Sequence, residues 1–477
     1  MMASTSPPPT TSPAMSSTTT TATTKPCVKC RSNPGTLDSR GQLVCRLCFQ
    51  KFISAKCIKQ IGLLNKDVRS SSSSALSDYH STQKNAGPPQ ASSRRYLLGL
   101  SLGPSSAALL ELLNENVEFQ VGRGRNAPFE LGVVHVSGAG LEGDGKGRER
   151  EKVEEVVRRL GRRYPRFEFR VVYLEEVVGL ETVDWEGLGL GLGLGGFVTE
   201  QKDETEVTTT TKAERLRQLF DNLPSSTTSR TDLLRLFTRH LLIAEARKSQ
   251  CHALLLGSST TALAELTLSE TAKGRGFSLP WQINDGVLGV PSFSPNSSSS
   301  LKTDETGILI YHPLRDALRK ELVTFTKLSG EPTPIADLLP ETDLTTTAAV
   351  VSHKDLSIEE VMVRYFADVE ENYPSIVANV ARTTGKLMRL FGGGGAGADG
   401  DEGVRSKTEG EDENEEEDDD DEERLCGLCS MPLDEFGDQR WKGELGEDNY
   451  RDVVVGGEGE KKTKQRICYG CERSIRG

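Results

Sequence analysis

The sequence predicts an α/β fold: a doubly wound, mostly parallel sheet flanked by an N-terminal and a C-terminal cysteine module. Three observations carry that expectation. Short apolar strands alternate with amphipathic helices from residue 94 onward. Eight of the ten cysteines fall into four Cys-x-x-Cys pairs, two towards each end. Between these parts the composition turns to Ser/Thr, Gly-Leu or acidic runs, which bury too little apolar surface to offset the entropy of ordering.

The elements follow in order. Residues 1–24 are Ser/Thr/Pro-rich and expected to be disordered. Residues 25–66 hold Cys27, Cys30, Cys45 and Cys48, two knuckles separated by fourteen residues. That spacing places four thiolates around one zinc ion, as in a zinc ribbon, with turns at Asn33–Gly35 and Ser39–Gln42. A four-thiolate site leaves no position for a substrate, so its role is folding and docking. Residues 67–93 read as a Ser-rich linker.

The α/β domain is expected over 94–390, with inserts at about 185–211 and 290–306. Strands are predicted at Tyr96–Gly99, Leu131–Val136, Phe167–Tyr173 and His252–Gly257. Helices are predicted at Pro104–Leu113, Glu149–Tyr164, Lys212–Leu219 and Arg230–Lys248, and from Thr261. In the second of these Val153, Val156, Val157 and Leu160 share one face. A further strand and helix fall in "ILIYHPLRDALRKELVTFTKL". Gly187–Gly196 and Ser294–Gly307 are surface loops, and the Gly-Leu alternation opens no helix that would cradle a phosphate.

Residues 391–424 form a Gly-rich and acidic linker, and residues 425–477 carry Cys426, Cys429, Cys468 and Cys471 as a second metal site. A redox pair is the alternative, but neither motif sits at the turn of a βα unit. Cys251 is expected to be a buried small hydrophobe, and Cys57 is left over.

The net charge of −12 comes from one run. Glu409–Glu423 holds 13 of the 70 acids, and the remaining 57 face 58 bases. A basic patch for a polyanion is therefore allowed, not demanded. No stretch approaches the roughly 18 apolar residues of a membrane span. Neither a secretory nor a mitochondrial signal is visible, and cysteine pairs of this kind suit a reducing compartment, so a cytoplasmic protein is expected.

The stretch "YLLGLSLGPSSAALLELL" (Tyr96–Leu113) reads as strand, turn and helix, the place where α/β proteins hold phosphate. Its residues suit that task poorly. Leu102 stands where a glycine would help, Pro104 lacks an N–H, and Ser105 is neutral. The expected role is structural, with residual nucleotide binding as the alternative.

"LSLGPSS" (Leu100–Ser106) resembles a degraded "SGGxDS" motif of the PP-loop ATPases, relatives of the adenine-nucleotide alpha-hydrolases that adenylate or thiolate tRNA bases. The motif's Asp falls on Ser105. The "GHNADD"-type loop of that family falls on Gly257–Gly276, with Thr260 and Thr261 near the lost Asp pair. Tyr311–Leu322 is similar to its "RPL…KEI" segment. Cys27–Lys56, Tyr373–Leu387, Cys426–Asp434 and Ile467–Ser474, in that order, resemble the cytoplasmic tRNA 2-thiolation protein 2 family. Cys57 departs from it, standing where an aromatic is expected.

The resemblance implies an accessory, non-catalytic subunit beside a catalytic PP-loop thiolase. The pair would 2-thiolate wobble uridine 34 of cytoplasmic tRNA (mcm5s2U formation), with sulfur from a ubiquitin-related carrier. It also implies structural zinc, ATP used by the partner, tRNA as substrate, and no membrane. No residue is assigned a catalytic or nucleotide-binding role. Arg94, Arg95, Arg123, Arg125, Lys273 and Arg275 are candidate phosphate contacts. Rival readings are a PP-loop ATPase active alone, recruiting Asp144 or Asp285 for magnesium, and a zinc-ribbon module that binds protein or RNA. A cross-brace ubiquitin ligase would need a second, interleaved ligand set.

Overall fold

In the computed structural model the described residues are 25–80, 94–139, 146–185, 211–293, 307–330, 332–340, 356–389, 425–433 and 467–477. Side chains of 69–80 and of residue 146 are not among them. Residues 1–24, Asp144, Gly187–Gly196, residues 294–306 and the acidic run lie outside the described residues. The chain divides into two compact units, Met1–Lys51 and Phe52–Gly477.

In the first unit, β1 (Leu37–Ser39) and β2 (Gln42–Val44) pair antiparallel. Arg40 and Gly41 between them both have positive φ (53° and 82°), the pair of left-handed residues that a type I′ hairpin requires. Helix α1 (Arg46–His80) then starts and continues into the second unit. It covers residues 67–80 of the segment read from sequence as a linker; residues 81–93 lie outside the described residues.

The second unit is built on six strands in the order β5-β4-β3-β6-β8-β7. These are β3 (Arg95–Gly99), β4 (Glu130–Ser137), β5 (Glu168–Tyr173), β6 (Ala253–Leu256), β7 (Gly286–Leu288) and β8 (Ile308–Tyr311). Only β7, on the edge, is antiparallel. From β3 the chain winds outward to β5, then returns to the other side of β3 with β6, as a doubly wound sheet does. The expected fold class is therefore met.

Central strand β3 reads as an unbroken apolar run because both its faces are covered. On one side Leu97 joins a core with Leu241 and Leu242 of α5 (Thr227–Lys248). On the other, the Tyr96 ring lies 5.3 Å from that of Phe129, and its hydroxyl donates to Asn65 of α1 at 2.8 Å. Helix α2 (Pro104–Val121) follows β3, with Pro104 in its first turn and Ala107–Leu110 fully buried. Helix α3 (Lys146–Arg163) links β4 to β5, and α4 (Lys212–Asp221) precedes α5. After β6 come α6 (Thr260–Ala272) and the short α7 (Leu279–Ile283). Helix α8 (Arg319–Leu328) follows β8; α9 (Ile358–Asn372), α10 (Pro374–Thr384) and α11 (Tyr469–Arg476) complete the described elements.

Candidate functional sites: a filled switch point and two four-cysteine centres

Strands β3 and β6 are neighbours, yet the connections leaving them diverge, so a crevice is expected between the loops at their carboxyl ends. Here that crevice is filled by the chain itself. Leu102 takes the left-handed conformation (φ 60°) and buries its side chain, a strained choice for a residue other than glycine. The Ser101 N–H donates to Ser106 Oγ at 3.2 Å, and the Gly103 N–H to Ser101 Oγ at 3.3 Å. Ser106 Oγ itself donates to Gly103 O at 3.1 Å. Two backbone donors of the turn, the Ser101 and Gly103 N–H groups, are thus already engaged within it.

The opposing loop closes on the turn. A Cβ on Gly257 would stand 2.6 Å from Ser106 Cα and 2.9 Å from its N, so only glycine allows this approach. Thr260 Oγ1 donates to Arg315 O at 2.7 Å, and Thr261 Oγ1 to Glu370 of α9 at 3.0 Å. Both threonines therefore hold structure. Asp285 is likewise committed, to His312 (3.0 Å) and Arg315 (2.7 Å). Burial pushes its carboxyl up, but the His312 hydrogen bond and the Arg315 charge outweigh burial and hold it below the usual range.

The two cysteine sets each converge. In both, the four Sγ atoms lie within 4.8 Å of one another. Cys30 and Cys45 are 3.8 Å apart, as are Cys429 and Cys468. A tetrahedral zinc with Zn–S of about 2.3 Å needs an S···S edge of about 3.8 Å, so both donor sets fit zinc. Each could hold one ion.

The two sets also share a local build. Arg31 N–H returns to Cys27 O, and Ser430 N–H to Cys426 O, both at 2.9 Å. Both returning residues are left-handed (φ 58° and 56°) and both lie four places after the first cysteine. The second pair of each set opens a helix: Cys45 directly precedes α1 and Cys468 caps α11. Free N–H groups there favour thiolate. The Cys48 backbone N–H accordingly holds the Cys45 thiol below its ordinary pKa.

The C-terminal set is embedded in the second unit. Cys426, Leu428, Cys429, Met431, Cys471 and Ile475 belong to the core that contains Phe237 and Leu241 of α5. Buried His240 joins them, with Nε2 donating to Leu428 O and Nδ1 accepting from Thr182 Oγ1, both at 2.8 Å. Ser430 Oγ donates to Thr182 O, and Asp184 N–H to Gly427 O.

Beneath α11 lies a buried ionic network. Asp232 and Glu270 are wholly buried and meet Lys273, Arg275 and Arg235. Burial raises both carboxyls, but Arg275 and Lys273 around Asp232, and Arg235 around Glu270, hold them well below the usual range. Arg275 Nη2 also reaches Cys471 Sγ at 3.4 Å, and Ser474 Oγ donates to Asp232 at 2.7 Å.

This corrects two expected phosphate contacts. Lys273 is 7% and Arg275 2% exposed, and both are matched to internal carboxylates rather than presented to solvent. The sequence signal for their true role is Gly274, at φ 78°, where any side chain would run into the Tyr469 ring. Of the other candidates, Arg95 pairs with Glu130, Arg125 with Gln120, Arg123 lies over the Phe119 ring, and Arg94 donates to Pro128 O. Cys57 is fully buried on α1 and its thiol is pushed up to about 12 by burial; Cys251 is only half-buried.

A family model described as cytoplasmic tRNA 2-thiolation protein 2 matches residues 357–473. A protein of that name from Sclerotinia sclerotiorum is 34% identical over 358 residues, covering 74% of this chain and 80% of the relative. Another, from Phaeosphaeria nodorum, is 32% identical over 457 residues, 95% of each chain. The chain belongs to the cytoplasmic tRNA 2-thiolation protein 2 family. The family model's match opens at Ser357, which caps α9, and closes at Arg473 in α11, so it spans α9, α10 and the second cysteine set. Among solved structures, the U34-tRNA thiolase NcsA from Methanococcus maripaludis with its 4Fe–4S cluster aligns at TM-score 0.43 and 14% identity. That alignment covers 76% of this chain and 86% of the other. No helix among the described residues is long and apolar enough to cross a membrane.

Proposed function

We propose that this chain is the accessory, non-catalytic half of a cytoplasmic heterodimer that 2-thiolates uridine 34 of tRNA. A PP-loop thiolase partner would use the ATP, and a ubiquitin-related carrier would bring the sulfur. The observation that supports this reading is the filled switch point, where Ser101, Gly103 and Ser106 satisfy one another and Gly257 closes the crevice. The family's name supports the substrate. Cys27, Cys30, Cys45 and Cys48, and Cys426, Cys429, Cys468 and Cys471, would each hold a zinc ion. Bound there, zinc supplies a fixed tetrahedral joint with no open position.

The test compares the purified chain, its partner thiolase, and the two together in thiolation of a U34 tRNA transcript, with Mg·ATP titrated into each by calorimetry. Thiolation is expected only with both proteins, and no nucleotide heat from this chain. Thiolation or ATP turnover by this chain alone would overturn the reading.

A further inference from the structure

Among the described residues, helix α10 presents an unpartnered face. Its inner side packs on α6, α7 and α9 through Val377, Ala381 and Thr384. Its outer side, with the residues that flank it, exposes Tyr373 (62%), Ile376, Arg382, Lys386, Leu387 and Met388 (79%). Residues 373–389 contain three bases and no acid; of the three, Arg389 is turned onto the Asn284 and Val287 carbonyls. Arg382 and Lys386 make no ion pair among the described residues. The acids next door are engaged: Glu371 lies 3.9 Å from Lys320, and Asp368 accepts from Asn372.

This face is continuous with the carboxyl edge of the sheet. Asn284 donates to Leu387 O at 3.0 Å, and a Cβ on Gly385 would stand 3.4 Å from the Arg315 guanidinium. Arg315 O in turn receives the Thr260 hydroxyl beside the filled switch point. An exposed aromatic at the start of this segment and two exposed bases at its end, with no acid between them, suit a phosphodiester strand with accessible bases. From this geometry we infer that the outer face of α10 is the surface on which this chain receives RNA. The inference rests on the tRNA reading above and gives it a location. Arg382 and Lys386 hold phosphates, Tyr373 stacks on a base, and Ile376, Leu387 and Met388 cover apolar base and sugar surface.

The test uses the full chain, alone and with its partner, and a labelled U34 tRNA transcript titrated across a salt series. Arg382→Glu/Lys386→Glu is expected to weaken binding about tenfold or more and to lower the slope of log K against log salt by about 1.4–1.8. Tyr373→Ala should weaken it about fivefold or more with the slope unchanged. Arg162→Glu/Arg166→Glu, the same charge change on and just after α3, should do neither. All the altered side chains are exposed, so melting temperatures serve to confirm folding. Unchanged tRNA affinity of the α10 variants, measured on the chain alone, would overturn the inference. Loss of the partner thiolase from those variants with tRNA affinity intact would assign the face to protein and overturn it as well. A wild-type chain that binds no tRNA, alone or in the pair, would instead sink the tRNA reading itself.

Discussion

Asp232→Asn should loosen the C-terminal cysteine centre without touching the N-terminal one. The wild-type network sets Asp232, Glu270 and Glu359 against Arg235, Lys273 and Arg275, so the buried charges balance. Asparagine leaves three cations facing two anions. It also weakens what Asp232 accepts: two hydrogen bonds from Arg275, at 2.9 and 2.5 Å, and one each from Lys273 and Ser474 at 2.7 Å. Removing one partner of a buried ion pair costs about 3–5 kcal/mol. That is a large share of the roughly 5–15 kcal/mol that keeps a domain folded. Because Arg275 also contacts Cys471 and Ser474 sits on α11, the damage should localise to that helix. Urea unfolding and zinc release to a metallochromic chelator measure it. The variant should unfold at lower urea and give up one of two zinc equivalents quickly, while Asp232→Asn/Arg275→Met should regain part of the loss. An unmoved midpoint with both ions retained would refute the assignment of this network as the seat of α11.

Gly257→Ala places a methyl 2.6 Å from Ser106 Cα, which a backbone shift alone can relieve, and should cost about 1–3 kcal/mol in urea unfolding. His240 gives a pH signature: burial holds its pKa at about 4, against an ordinary value near 6.5. As pH falls below 6.5 the unfolded chain takes up a proton that the folded chain refuses, so stability is lost from there down towards pH 4. By pH 5 the loss attributable to this residue is about 2 kcal/mol. His240→Gln should flatten that part of the stability profile, and profiles of equal slope would count against it.

Strands β3, β6 and β8 were legible as short apolar runs bounded by Gly or polar residues, and β5 by its alternation of apolar and charged residues. Edge strand β7 was not: Gly286–Leu288 is three residues long, and its pairing with β8 is set by neighbours distant in sequence. Helix α1 past Lys66 was legible in principle. Phe49, Ile53, Cys57, Ile61, Leu64 and Val68 are all buried at helical spacing. Cys57 is a core position in that stripe. The convergence of the two cysteine sets was readable because the pair spacing is local. The seat of the second set was not, because Lys273 and Arg275 look like surface cations until Asp232, some forty positions upstream, is brought against them. Likewise the turn's departure from a phosphate-binding sequence could be read from Leu102, Pro104 and Ser105, whereas the hydrogen bonds among Ser101, Gly103 and Ser106 needed coordinates.

The insertion of α11 among the residues of α5 has a bearing on how the molecule is made. Core positions facing Phe237 stay empty until Cys471 and Ile475 emerge from the ribosome, long after β6 has been translated. A nascent chain stalled before that point exposes an open apolar seat and lacks the Ser474 hydroxyl that Asp232 accepts from. Surveillance by chaperones and proteases would therefore discriminate finished from interrupted copies at this one helix.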